Sequence, residues 1–135
     1  MFVLDERIEN DSTLIAELSL CQIRLQNDSR YPWLVLVPKI NDVTEVHELS
    51  LEQQTLLMQE SSLVAKCLQQ VTHCKKINVA NLGNVVSQLH WHVVARVEDD
   101  ATWPGPIWGV GSAIPYEDKK RAELVDSFLS VLDEN

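Results

Sequence analysis

Two histidines separated by one residue, His90 and His92, are the side chains of this chain that are best placed to do chemistry. They lie in the segment 89–96, whose pattern predicts a short β-strand. Side chains alternate between the two faces of a strand, so Gln88, His90 and His92 are expected to share one face, with roughly 7 Å between successive members. The opposite face is wholly apolar and is expected to pack on the core. An amide and two imidazoles in one row indicate a functional site.

Two kinds of chemistry use such a pair of imidazoles. Neutral imidazoles two residues apart on a strand bind zinc, provided that at least a third protein ligand is present. Alternatively, one imidazole attacks phosphorus while a neighbouring group supplies hydrogen bonds or a proton. Four other side chains have the right type for a third zinc ligand, although their spacing singles none of them out: His47, His73, Cys67 and Cys74.

The strands that must position the histidines follow from the apolar pattern of the chain. Five segments have the composition or alternation of β-strands, namely 13–18, 21–26, 33–37, 77–80 and 89–96. A cluster of turn residues joins the second segment to the third and predicts an antiparallel hairpin.

Three helices are predicted around these strands. A short helical turn covers residues 5–10. Ser50 followed by Gln53 is a capping-box pattern, and it opens a long helix that runs to about residue 71. A final helix covers about residues 117–132 and has an apolar stripe. The predicted fold class is therefore α+β: an antiparallel sheet of about five strands, with one long helix packed across it and a C-terminal helix.

Length and composition fit one domain over residues 1–135. The formal net charge of −9 argues against a general nucleic-acid binder, because a phosphate backbone is repelled on average, but it allows a small anionic ligand in a local pocket. No apolar run is long enough to span a bilayer, and no export signal is recognised, so no membrane association is expected. The three cysteines contain no C-x-x-C pair, and we expect reduced thiols in a cytoplasmic protein.

The stretch 83–94, Gly-Asn-Val-Val-Ser-Gln-Leu-His-Trp-His-Val-Val, resembles the signature of the histidine triad (HIT) superfamily. That signature is a glycine followed by glutamine or asparagine, and then three histidines that alternate with apolar residues. Residues 31–39 resemble the family's apolar strand that ends in proline and lysine. Trp103-Pro104 resembles the tryptophan-proline tail of small members, which reaches toward the active site of the partner subunit. The resemblance covers about residues 12–108.

The resemblance implies a nucleotide hydrolase or transferase, without a cofactor, that cleaves a phosphoanhydride or phosphoramidate of a small-molecule nucleotide. His90 matches the middle histidine, the family nucleophile that takes the nucleotide onto its ring as a phosphoramidate. His92 matches the last histidine, which hydrogen-bonds near the phosphate. Small members are twofold dimers, and we expect Trp103 and Trp108 to line a pocket or the dimer interface.

The resemblance also implies nucleotide-binding residues in two loops. Asn84 matches the loop amide that contacts phosphate, and Asn81 and Gly83 belong to the same loop. Asn27 or Asp28 lies where the family places an acidic ribose-binding residue, in a turn that is shorter here.

The chain departs from the family pattern at two positions. Gln88 stands at the first histidine, and Val85 stands where a phosphate-contacting serine is common. A glutamine exchanges no proton at neutral pH, but its backbone carbonyl is still available to fix the tautomer of His90. Nucleophilic attack is thus retained without this proton donor, which favours good leaving groups such as phosphate or pyrophosphate. Two alternatives stay open: a nucleotide-binding protein with little or no turnover, and a zinc protein that uses His90 and His92.

Overall fold

Five strands pair into one antiparallel sheet in the computed structural model of this chain, which describes residues 1–135. The strands are β1 (Ser12–Glu17), β2 (Cys21–Gln26), β3 (Trp33–Pro38), β4 (Lys76–Asn81) and β5 (Trp91–Arg96). The helices are α1 (Glu6–Asp11), α2 (Leu51–Thr72) and α3 (Asp118–Asp133), and a short 3-10 helix covers Val46–Glu48. The strand order is β1-β2-β3-β5-β4, which places β3 beside β5 at the centre and leaves β4 at one edge. The predicted α+β class is confirmed.

The long helix α2 covers one face of the sheet. Its start is fixed by the predicted capping box, because the Ser50 hydroxyl accepts from the Gln53 backbone N–H at 3.1 Å and the Gln53 side chain accepts from the Ser50 N–H at 2.9 Å. The inward face of α2 contributes fully buried residues such as Leu57 and Val64 to the main core, and α3 adds Phe128. This core packs against the face of the sheet opposite the histidines and holds the central strands in place.

The other face of the sheet is covered by the two segments that flank the candidate site. Trp33, Val35 and Val94 form a second buried cluster on this face. The helix α1 contributes Ile8 to the cluster, and the segment after β5 contributes Ile107. Because both faces of β3 are covered, all six of its residues are buried, as its continuous apolar run predicts.

The segment after β5 is anchored by a buried ion pair. Arg96 Nε donates to the Asp100 carboxylate at 2.7 Å, and Arg96 Nη2 donates to the carbonyl of Gly105 at 2.8 Å. Hydrogen bonding from Arg96 lowers the pKa of Asp100, so this carboxylate stays charged at neutral pH. The anchored segment folds back along the sheet and brings Trp108 to the histidines.

The histidine strand starts later than the sequence pattern predicts. Residue 89 was the expected start, but β5 begins at Trp91 because the Leu89 N–H donates to the carbonyl of Val43 at 2.9 Å and not to a neighbouring strand. The other predicted strands and helices agree with the observed bounds to within one residue. None of the helices combines the length and the apolar character that crossing a membrane requires.

Candidate active site

The ring of His90 is held by a backbone carbonyl two residues earlier. His90 Nδ1 lies 2.7 Å from the carbonyl oxygen of Gln88. A carbonyl only accepts hydrogen bonds, so Nδ1 carries the proton of the neutral ring and Nε2 keeps its lone pair. The contact that the sequence predicted for the Gln88 backbone is therefore present, and it leaves His90 in the tautomer that a nucleophile requires.

The ring of His92 is held in the opposite tautomer by a tryptophan on the neighbouring strand. Trp33 Nε1 donates to His92 Nδ1 at 3.0 Å. An indole N–H has no acceptor function, so His92 Nδ1 is unprotonated and the proton of the neutral ring sits on Nε2. His92 is only 6% exposed. Burial lowers the pKa of His92 to about 3, with a smaller contribution from repulsion by His90, so the ring is neutral throughout the physiological range.

The two imidazoles thus offer complementary groups within one small space. Their ring centroids are 5.0 Å apart and the ring planes are 74° apart. His90 offers an unprotonated nitrogen, and His92 offers an N–H whose orientation is fixed by packing. A nucleophile beside a fixed hydrogen-bond donor is an arrangement suited to attack on phosphorus, where negative charge develops on the phosphoryl oxygens.

Both rings open onto a cavity of about 490 Å³, a volume in the range of small-molecule sites. Its far wall is the loop that precedes β5, residues 82–86, which includes Gly83 and Asn84. Trp108 closes another side, with its ring centroid 5.5 Å from that of His92. The loop turns tightly at Gly83, where an added Cβ would lie 3.3 Å from the carbonyl oxygen of Val86. The cavity therefore brings together Gly83, Asn84, both histidines and Trp108.

Three other predicted site residues, Asn81, Gln88 and Trp103, do not line the cavity that the histidines face. Asn81 borders a neighbouring polar cavity that it shares with Gly83 and Asn84. Gln88 does not share the face of the histidines, because residues 88–90 precede the strand; its side chain borders a separate cavity beside Asp5. Trp103 packs on the guanidinium of Arg96, whose Cζ lies 5.6 Å from the centroid of the Trp103 ring. Trp103 does not line the histidine cavity.

The two residues considered for the ribose contact are occupied with the C-terminal tail. Asn27 Oδ1 accepts from the backbone N–H of Tyr116 at 2.9 Å. Asp28 is 1% exposed and accepts from Arg30 Nη2 at 2.8 Å and from the N–H of Ile114 at 3.3 Å. Hydrogen bonds from Arg30 and Ile114 outweigh burial and lower the pKa of Asp28. Neither residue lines the histidine cavity, so the turn that carries them anchors the tail.

The sequence did not predict that side chains of α1, β2 and β3 line one side of the site. A second cavity of about 350 Å³ adjoins both histidines and is lined in addition by Arg7, Asp11, Gln26 and Trp33. Trp33 begins the apolar run 33–37, which predicts only a buried strand; the pairing of Val35 with His92 across β3 and β5 shows that its indole is on the same face as the histidines. No local motif marks Arg7 or Asp11.

A zinc site at the histidine pair lacks further ligands. No group of three or more histidine, cysteine, aspartate or glutamate side chains is arranged to hold a metal ion. Nδ1 of each histidine is already hydrogen-bonded, to Gln88 and to Trp33 respectively. Two Nε2 atoms alone fall short of the three protein ligands that a catalytic zinc site uses.

Comparisons with known proteins give the family and the fold. The family model described as HIT domain matches residues 7–99. A histidine triad protein from Sinorhizobium meliloti 1021 is 47% identical, with a TM-score of 0.94 over 96% of each chain. A histidine triad protein from Bradyrhizobium japonicum is 37% identical, with a TM-score of 0.95 over 97% of this chain and 98% of that one. One from Marinobacter aquaeolei VT8 is 38% identical, with a TM-score of 0.95 over 99% of this chain and 98% of that one. Among curated proteins, none matches the chain.

Proposed function

The chain belongs to the histidine triad family, whose members bind or hydrolyse nucleotides, and we propose that it is a nucleotide hydrolase or transferase of this type. The proposed reaction cleaves a phosphoanhydride or phosphoramidate bond through a His90-nucleotidyl intermediate. One observation carries the proposal: two neighbouring imidazoles face one cavity in opposite tautomers, each fixed by a partner that allows no other.

In the first step, the lone pair of His90 Nε2 attacks the phosphorus that is bonded to the nucleoside. A bond from phosphorus to Nε2 forms, and the bond to the leaving group breaks, with its electron pair going to the leaving group. The ring becomes positively charged, and its Nδ1–H donates to the Gln88 carbonyl, which stabilises that charge. The Nε2–H of His92 donates to a phosphoryl oxygen on which charge develops.

In the second step, water attacks the same phosphorus and the bond to His90 Nε2 breaks, returning the electron pair to the ring. The water proton passes to solvent and the product is a nucleoside monophosphate. In a transferase, another hydroxyl or phosphate takes the place of water. The second step therefore returns His90 to the neutral tautomer that the Gln88 carbonyl selects.

The cavity favours substrates with good leaving groups. His92 is neutral at working pH because burial lowers its pKa to about 3, so it is a poor source of a proton for a departing amine. The Gln88 amide exchanges no proton either. General acid catalysis contributes roughly 10²- to 10⁴-fold where it is present. We therefore expect dinucleoside polyphosphates, which release phosphate anions, to react faster than nucleoside phosphoramidates.

A direct assay tests the proposal. Purified protein is incubated with diadenosine tetraphosphate or with adenosine phosphoramidate, and the release of AMP is followed. We expect AMP from the wild type and from His47→Ala, an exposed control on the 3-10 helix, and none from His90→Ala. Substantial AMP release by a folded His90→Ala variant would contradict the role of His90. Nucleotide binding by the wild type without any release of AMP would favour the alternative of a binding protein.

We further propose that two copies of the chain pair along β4. This strand is at the edge of the sheet, so one side of its backbone has no partner strand. Val79 on β4 and Leu82 just after it are 45% and 38% exposed, so this edge presents apolar surface that a second copy would cover. Light scattering at micromolar concentration is expected to give the mass of a dimer, and Val79→Lys is expected to shift it toward a monomer. A monomer mass for the wild type would exclude this interface.

The proposed compartment is the cytoplasm. All three cysteines are free, and all three are buried. Free thiols are typical of a reducing compartment.

A further inference from the structure

The side-chain amide of Gln88 is hydrogen-bonded to the backbone of the N-terminal segment, residues 1–5. Gln88 Oε1 accepts from the N–H of Asp5 at 2.8 Å, and Gln88 Nε2 donates to the carbonyl of Val3 at 2.9 Å. The N–H only donates and the carbonyl only accepts, so the orientation of the amide is determined. A primary amide presents its acceptor and its donor side by side and thereby joins two backbone groups that flank one residue, Leu4.

The same residue holds the nucleophile through its own backbone. The carbonyl of Gln88 is the partner of His90 Nδ1, at 2.7 Å. Residue 88 is therefore tied by its side chain to the N-terminal segment and by its carbonyl to the reacting ring. A shift of residue 88 would move the acceptor that selects the tautomer of His90.

Further contacts hold the N-terminal segment against the loop that follows β3, and hold the start of α1 against the loop 82–86. Asn41 Nδ2 donates to the carbonyl of Met1 at 2.7 Å, and Asn41 Oδ1 accepts from the N–H of Val3 at 2.9 Å. Arg7, which follows the segment, donates from Nη1 to the carbonyl of Val85 at 2.9 Å. The side chains of Phe2 and Leu4 pack against the buried cluster beneath the site. The segment is thus fixed on both sides of the Gln88 contact.

These contacts assign a role to the residue that replaces the first histidine. Both polar atoms of the Gln88 side chain are used by the backbone of residues 3 and 5, and the side chain does not line the histidine cavity. The two nitrogens of an imidazole point in divergent directions, so a histidine at this position does not reproduce the paired contact. We propose that Gln88 is a positioning residue, which couples the N-terminal segment to His90 and keeps the nucleophile in its reactive tautomer; the kinetic part of this inference rests on the function proposed above.

A double-mutant cycle tests the coupling. Gln88→Met keeps the length of the side chain and removes both hydrogen bonds, and deletion of residues 1–4 removes the Val3 carbonyl and the chain that orders the N–H of Asp5. A displacement of about 1 Å in a catalytic group costs up to ~100-fold in rate, and we expect each change to lower kcat by about tenfold or more with little change in KM. Since both changes break the same contact, the combined variant is expected to be no slower than the slower single variant. Gln70→Met, on the exposed face of α2, is the matched control.

The tautomer itself gives a readout that needs no substrate. In the wild type, ¹⁵N spectra of the imidazoles are expected to show His90 protonated at Nδ1 and His92 protonated at Nε2. In Gln88→Met, we expect a mixture of tautomers at His90, an unchanged His92, and faster hydrogen exchange at the amide of Asp5. These measurements remain decisive even if the wild type proves inactive, so failure of the proposed enzyme and failure of the proposed coupling are distinguishable.

Two outcomes would overturn the coupling. The first is an unchanged His90 tautomer in both the Gln88→Met and the truncated protein. The second is a loss of rate in Gln88→Met alone, with the truncated protein fully active, since Gln88 would then act on the substrate and not through the N-terminal segment. If Gln88→Met does not fold, Gln88→Glu replaces it: the carboxylate still accepts from Asp5 but no longer donates to Val3, and an intermediate loss of the Nδ1–H tautomer is expected.

Gln88→His separates positioning from proton donation. If Gln88 were a weakened acid, the new imidazole would raise the rate most for amine leaving groups. If Gln88 is a positioning residue, the rate is expected to fall for amine and phosphate leaving groups alike, because the two hydrogen bonds from its amide to residues 3 and 5 are lost. A selective gain with adenosine phosphoramidate would contradict our inference.

Discussion

Acid should destabilise this protein through His92. The ring is buried as a neutral group, and burial lowers its pKa to about 3 in the folded chain. In the unfolded chain an imidazole has its ordinary pKa of about 6.5. Between these two values the unfolded state binds a proton that the folded state does not bind. The free energy of unfolding therefore falls as the pH falls below about 6.5. Above that pH the ring is neutral in both states, and His92 causes no loss of stability.

The size of the effect follows from the two pKa values. Each pH unit between them changes the free energy of unfolding by about 1.4 kcal/mol. With a folded pKa of about 3, the loss attributable to His92 is about 2 kcal/mol at pH 5 and roughly 3 kcal/mol at pH 4. Such a loss is a large share of the stability of an ordinary domain.

Urea unfolding at pH 7.5, 6 and 5 measures this loss, with tryptophan fluorescence as the signal. His92→Asn retains an acceptor for the Trp33 N–H and removes the titrating ring. The wild type is expected to lose about 2 kcal/mol more than His92→Asn between pH 7.5 and pH 5. Contributions from carboxylates such as Asp28 and Asp100 are common to both proteins and cancel in the difference. His47→Asn, at an exposed position, is the control and should follow the wild type.

Parallel pH curves for the wild type and His92→Asn would refute the reasoning. They would mean that His92 titrates in the folded protein near its ordinary pKa. The ring would then be positively charged in weak acid, with protons on both nitrogens, and the hydrogen bond from Trp33 to Nδ1 would not be maintained.

Three other substitutions test the surroundings of the site. Trp33→Phe removes the only donor to His92 Nδ1, so ¹⁵N spectra are expected to show mixed tautomers at His92 and kcat to fall about tenfold; a single unchanged tautomer would contradict this. Asn84→Ala removes a loop amide at the cavity and is expected to raise KM severalfold, and an unchanged KM would remove it from the nucleotide site. Asp28→Asn weakens the pair with Arg30 and is expected to lower the free energy of unfolding by about 1–3 kcal/mol without changing KM, whereas a changed KM would support the ribose contact that the resemblance implies.

The elements of the fold were predictable because their signals are local. Ser50 and Gln53 mark the start of α2, and the continuous apolar run from Trp33 marks a strand that is covered on both faces. The start of β5 was less predictable. Alternation continues through Leu89, but its N–H donates to Val43 in a distant segment, and a pattern read along the chain contains no information about that partner.

The candidate site was predictable only where the residues lie in one motif. His90 and His92 are close in sequence and remain close in space. Either Asn27 or Asp28 is expected to bind ribose because of its place in the resemblance, and the structure adds that both side chains accept hydrogen bonds from the tail at residues 114 and 116. That contact joins segments more than eighty residues apart, so neither composition nor spacing reveals it.

The reactivity of the histidine pair depends on residues that the motif does not contain. His92 has one tautomer because the sheet places β3 beside β5, so that the indole of Trp33 reaches it. His90 has the other because the backbone of residue 88 accepts its Nδ1–H, and that residue is in turn held by the N-terminal segment. A nucleophile and a donor thus arise from two chemically identical side chains through their different partners. The indole of Trp33 and the carbonyl of Gln88 fix these tautomers, and neither partner is a titratable group that could protonate a leaving group. The proposed reaction therefore depends on a leaving group that departs without being protonated.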